Sequence, residues 1–96
     1  LSVNQLLLSD LAVEQLRDVA PSTGRQLLQT IQRLRAFPES APPVQLAGYE
    51  AYRQLVTRPY RVIYRYIADE QTVRVYCVLH LRRTLPAAEF LQHQIF

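Results

Sequence analysis

Pro59-Tyr60-Arg61-Val62-Ile63-Tyr64-Arg65-Tyr66-Ile67 is the stretch that decides the fold. Aromatic and β-branched residues interleave here with arginine at a period of two, the period of a pleated strand and not of a helix. On that strand Tyr60, Val62, Tyr64 and Tyr66 share one side and Arg61, Ile63, Arg65 and Ile67 the other, so the arginine side is expected to be the open one. Working outward, Glu50 to Thr57 and Thr72 to His80 are two further β-rich runs. Arg58-Pro59 separates the first from the central strand, and Ala68-Asp69-Glu70-Gln71 separates the last. Both gaps suit hairpins, which makes the three runs an antiparallel meander. Strict alternation in the last run sets Val73, Val75, Cys77 and Leu79 in one row and Arg74, Tyr76, Val78 and His80 in the other.

Before the meander, Val3 to Leu8 is short, apolar and bounded by Ser9 and Asp10, and reads as a strand running into a helix cap. Leu11, Ala12, Gln15, Leu16 and Val19 recur at helical spacing, with Pro21 expected to end that helix. Ser22 or Thr23 then caps a second helix carrying Leu27, Leu28, Ile31 and Leu34, which Pro38 stops. Glu39 to Gly48 contains Pro42 and Pro43, has no period and reads as a surface loop. Pro86 opens a short final helix with Ala87, Phe90, Leu91 and Ile95 as its apolar stripe. The expected fold is α+β: an N-terminal strand and two antiparallel helices packed on an antiparallel sheet, with a short C-terminal helix.

A chain of 96 residues is expected to form a single domain, 1–96. All 11 of its basic side chains are arginine, so Schiff-base and phosphate-loop lysine chemistry is excluded, and Gly24 and Gly48 alone make no phosphate cradle. Arginine suits bidentate contact with phosphate or carboxylate, although a GC-rich genome produces the same bias. Cys77 is the only cysteine, which rules out an internal disulfide and fits a reducing cytoplasm. No apolar run approaches the length of a membrane span and no targeting signal is visible, so no membrane partner is expected. His80, His93 and Cys77 have no recognised metal spacing, and neither a metal nor a cofactor is expected.

Three segments together resemble the RelE/ParE toxin superfamily: Tyr52-Arg53-Gln54-Leu55-Val56, Pro59-Tyr60-Arg61-Val62-Ile63-Tyr64-Arg65, and Val78-Leu79-His80-Leu81-Arg82-Arg83. They are similar to that group's Arg-x-Leu, Tyr-Arg-hydrophobic-hydrophobic-Tyr and Leu-His-x-x-Arg patterns. The order of strand, two helices, Phe37-Pro38 and a Leu-x-Gly at Leu46 also agrees, so the resemblance covers nearly the whole chain. It implies the toxin of a type II toxin-antitoxin pair, of the plasmid-stabilisation type, which inhibits bacterial growth and is neutralised by a cognate antitoxin. RelE-like members cut messenger RNA on the ribosome without a metal, whereas ParE-like members poison DNA gyrase.

The two activities ask different things of the residues. Cleavage of RNA without a metal needs a proton acceptor, a cation for the phosphorane and a proton donor. The resemblance assigns Arg61 and Arg82, or Arg83, to the cation and leaves His80 as the proton carrier, because no Tyr follows Tyr76. The catalytic set of the RelE-like reading is therefore Arg61, His80 and Arg82. Contacts to RNA or another target are expected from Arg53, Arg61, Arg65, Tyr76, Arg82 and Arg83, since tyrosine interleaved with arginine also suits stacked bases. Arg61, Arg65, Arg82 and Arg83 bound the groove expected to take the antitoxin. The missing C-terminal Tyr, and a Leu-His-x-x-Arg context shared with non-nuclease members, tilt the balance toward ParE. An inactive toxin fold that serves only as a binding module is the third reading.

Overall fold

The structure is a computed structural model that describes residues 3–96; the first two positions of the expected 1–96 domain lie outside the described residues. The elements in chain order are β1 (Gln5–Leu8), α1 (Asp10–Asp18), α2 (Pro21–Arg33), β2 (Arg53–Thr57), β3 (Tyr60–Ile67), a 3₁₀ turn (Ala68–Glu70), β4 (Thr72–His80) and α3 (Ala88–Gln92). They build the expected α+β fold around a four-stranded sheet in the order β1-β4-β3-β2. The meander is antiparallel, with Thr57 opposite Tyr60 and Tyr60 opposite His80. β1 joins β4 in parallel, Leu8 beside Val75, which makes the sheet mixed. Two helices intervene between β1 and the meander, and a connection of that length can return the chain in either direction.

The helices start where side chains satisfy their first N–H groups. Ser9 caps α1: its Oγ accepts from the Ala12 N–H at 3.0 Å and donates to the Tyr76 carbonyl at 2.8 Å, so one buried hydroxyl ties the helix start to the sheet. Pro21 does not end α1, and neither Ser22 nor Thr23 caps α2. α1 stops at Asp18, and Pro21 occupies the first position of α2 behind Ala20. The proline ring fits that position because its φ is helical and the N–H it lacks would have no partner there. Gly24 lies where α2 crosses α1; a Cβ on it would sit 3.4 Å from the Leu16 carbonyl oxygen. The first strand and β2 begin later than the sequence suggests, at Gln5 and Arg53, because Asn4 and Tyr52 turn their backbone groups to other segments: Asn4 donates to Arg35, and Tyr52 to Tyr49.

Each side of the sheet carries its own apolar cluster. On the helical side Ala12, Leu27, Ile31 and Leu34 pack against Val62, Tyr64, Val73, Val75 and Val78. Tyr64 is fully buried there, donates its hydroxyl to the Pro38 carbonyl at 2.8 Å, and has its phenol pKa raised by burial. The other side, expected to be open, is covered. Val44 from the connecting loop and Leu91 from α3 close over Ile63, Tyr76, Cys77 and Leu79. The connecting loop and the short α3 provide this cover, so Arg61 and Arg65 are half-buried rather than free.

The strict rows expected in β4 are also corrected. The register slips between Ile63 and Tyr64, which pair with Cys77 and Val75 respectively and leave Tyr76 as an extra residue. Tyr76 and Cys77 therefore belong to the same cluster, and beyond this bulge the alternation is reversed: Leu79 turns to the loop side while Val78 stays with the helices. Cys77 is a core residue whose thiol is pushed up to about 12, chiefly by burial.

Candidate functional site

Arginines gather at the end of the sheet where β3 begins and β4 finishes. Arg61 lies on the loop side opposite Leu79 and Val56. Its Nη1 donates to Gln54 Oε1 at 3.3 Å, and its Nη2 donates to the Arg83 carbonyl. Around it is a recess of about 420 Å³ formed by Pro42, Pro43, Val44, Leu46, Gln54 and Leu85. Among the described residues that line it, Arg61 is the only titratable side chain; the rest is apolar or neutral amide.

His80 stands on the opposite side of the sheet. Its ring meets Tyr60 edge-on with centroids 5.6 Å apart, and its Nδ1 accepts the Arg82 N–H at 3.1 Å. That bond leaves Nε2 as the donor of the neutral ring. A second recess, of about 320 Å³, opens here between the last turn of α1 and the end of β4, and Gln15, Asp18, Tyr60, His80 and Arg83 line it. The Arg82 and Arg83 side chains are exposed. The three residues proposed for RNA cleavage thus gather at one end of the sheet but not in one pocket: Arg61 faces one recess, His80 the other, and Arg82 projects from the turn between.

The remaining predicted residues are spread further. Arg53 is on the helical side, opposite Tyr64, where it donates to the Ala41 carbonyl at 2.7 Å and pairs with Glu39 at 3.4 Å; it holds the connecting loop down. Arg65 lies on the loop side with its guanidinium carbon 5.8 Å from the centre of the Tyr52 ring, directly opposite Arg74. Arg74 in turn reaches Glu70 at 3.3 Å and lies 5.4 Å from the centre of the Phe96 ring. Tyr76 is buried between Tyr52 and Phe96, with centroid distances of 5.1 and 4.8 Å. Burial raises the Tyr52 phenol pKa, and Tyr76 beside it adds to the effect. Sequence reasoning missed Gln15 and Asp18, which carry no motif and enter the His80 recess only because α1 runs along β4. It also missed Phe96, whose place over the sheet depends on where the chain returns.

Against known proteins, the sequence pattern described as ParE toxin of type II toxin-antitoxin system, parDE, matches residues 6–85. The chain belongs to the ParE toxin family. This toxin's fold is similar to that of the toxin-antitoxin complex RelBE2 from Mycobacterium tuberculosis, with a TM-score of 0.74 at 18% identity, covering 81% of this chain and 98% of that one. The isolated RelE toxin of E. coli superposes with a TM-score of 0.69 at 20% identity, over 93% of this chain and 96% of that one. The archaeal RelE-RelB complex from Pyrococcus horikoshii gives 0.67 at 17% identity, over 85% and 99%. None of the curated proteins matches the toxin in sequence. No helix of the described residues is long and apolar enough to cross a membrane.

Proposed function

We propose that this toxin is held by a cognate antitoxin in the cytoplasm and arrests growth by binding DNA gyrase, not by cutting RNA. One observation carries the reading: the recess around Arg61 has no group that could take or give a proton. A guanidinium stabilises a phosphorane but stays protonated, so it supplies one of the three requirements of metal-free cleavage. His80, the remaining proton carrier, is separated from Arg61 by the thickness of the sheet. Arg61 is instead braced by Gln54 and the Arg83 carbonyl, an arrangement suited to presenting a fixed cationic surface to a protein.

The second reading, a ribosome-dependent nuclease, is favoured by the likeness to RelE structures and by the exposed Arg82 and Arg83. Expression of the toxin alone in bacteria, with primer extension on messenger RNA shortly after induction and a supercoiling assay with purified gyrase, separates them. The expected result is arrested growth, intact messages and inhibited supercoiling. New 5′ ends within translated codons would overturn the gyrase reading and make Arg61, His80 and Arg82 the catalytic candidates. Unimpeded growth would leave an inactive toxin fold.

A further inference from the structure

β1 stops beside Val75 while β4 continues to His80, and beyond that point side chains occupy the lane a longer β1 would have filled. Ser9 Oγ donates to the Tyr76 carbonyl at 2.8 Å, and Gln15 Oε1 accepts the Val78 N–H at 2.7 Å. Both mimic the main chain of an adjacent strand. Among the described residues none substitutes in this way at the next step in the lane. The Leu81 N–H donates to the Pro59 carbonyl at 2.9 Å, so by the alternation of an antiparallel ladder Leu79 and Leu81 turn their main-chain groups toward β3, while Val78 and His80 turn theirs away from it. The Val78 carbonyl and the His80 N–H therefore look toward the recess between β4 and the last turn of α1.

We propose that this recess receives an extended segment of the antitoxin. Its main chain pairs with the His80 N–H and the Val78 carbonyl, and it sets a carboxylate against Arg83 and the His80 ring. The main chain of an extended segment offers a donor and an acceptor at strand spacing, which is what the unfilled step requires. At the His80 end of the recess the charge fits as well: Arg83 is cationic and His80 presents Nε2 as a donor, while the acidic Asp18 lies at the α1 rim and the chain carries a net charge of +3. The proposal rests on the antitoxin-controlled reading above, and locates the contact in the outer lane that β1 leaves empty along β4, away from the recess around Arg61.

Amide hydrogen exchange followed by NMR tests it, on the free toxin and on its complex with the antitoxin candidate encoded by a short reading frame beside the toxin's own. In the free toxin the His80 amide should exchange faster than those of Leu79 and Leu81; in the complex it should slow by about tenfold or more. Asp18 is exposed at the rim, so Asp18→Trp should fill the recess without disturbing the core and weaken the complex by about tenfold. Arg83→Glu should weaken it by a similar factor, about tenfold. If the complex forms while the His80 amide is unchanged and both variants bind like the unmodified toxin, the docking lane is wrong and the antitoxin reading stands. If the unmodified toxin forms no complex, that reading falls and the lane falls with it.

Discussion

The two sides of the sheet are built by different means. The helical side is closed by regular elements whose apolar residues repeat at helical spacing, and its cluster includes Ala12, Ile31, Val62, Tyr64, Val73 and Val75 at 0% exposure. The loop side is closed by the connecting loop and by chain beyond the last strand, over a floor that mixes Ile63 and Cys77 with Arg61, Arg65 and Arg74. One side is optimised for packing. The other keeps charged groups under a thin cover, which costs stability.

The sharpest way to break this contrast is a pair of truncations of fully buried side chains. Ile31→Ala on the helical side should cost about 3–4 kcal/mol in chemical denaturation, because α2 cannot collapse into the gap. Leu91→Ala on the loop side should cost less, about 2 kcal/mol, because the short α3 can settle inward. Equal losses would mean that the two sides are equally rigid. Ser9→Ala should cost about 1–2 kcal/mol, measured the same way, through loss of the cap and an unpaired Tyr76 carbonyl. At neutral pH the smallest effect belongs to Cys77. Its thiol pKa rises from 9.0 to about 12 on folding, so the stability linked to its protonation is whole below pH 9 and is lost as the pH climbs from 9 toward 12. Urea midpoints should hold steady below pH 9 and decline above it, and Cys77→Ala should flatten the decline.

The same contrast explains what the sequence made legible. The helical side follows from period: alternation around Tyr60–Ile67 and helical spacing along Leu27, Ile31 and Leu34 both point to it directly. The Arg58-Pro59 hairpin was visible because two residues of turn chemistry separate two strand patterns. The loop side was less visible: Val44, Leu85 and Phe96 belong to stretches without a repeat, and although Leu91 falls in the stripe of the final helix, where that helix lies depends on the path of the chain. The bulge escaped notice for another reason. From Val75 to Leu79 every residue is apolar or aromatic, so a slip of one position leaves no polar residue conspicuously misplaced. Without that slip the sides of the candidate residues could not be assigned, and Arg53 was grouped with Arg61 although strand pairing sends it to the other surface.

The extra residue at Tyr76 acts as a half-period phase shift in a binary code. In a β4 of unbroken alternation, the imidazole of His80 would share a side with Arg74 and Arg61; the shift sends it to the other. Gaining or losing one bulge is therefore enough to bring an imidazole beside a guanidinium or to part them, with none of the side chains exchanged.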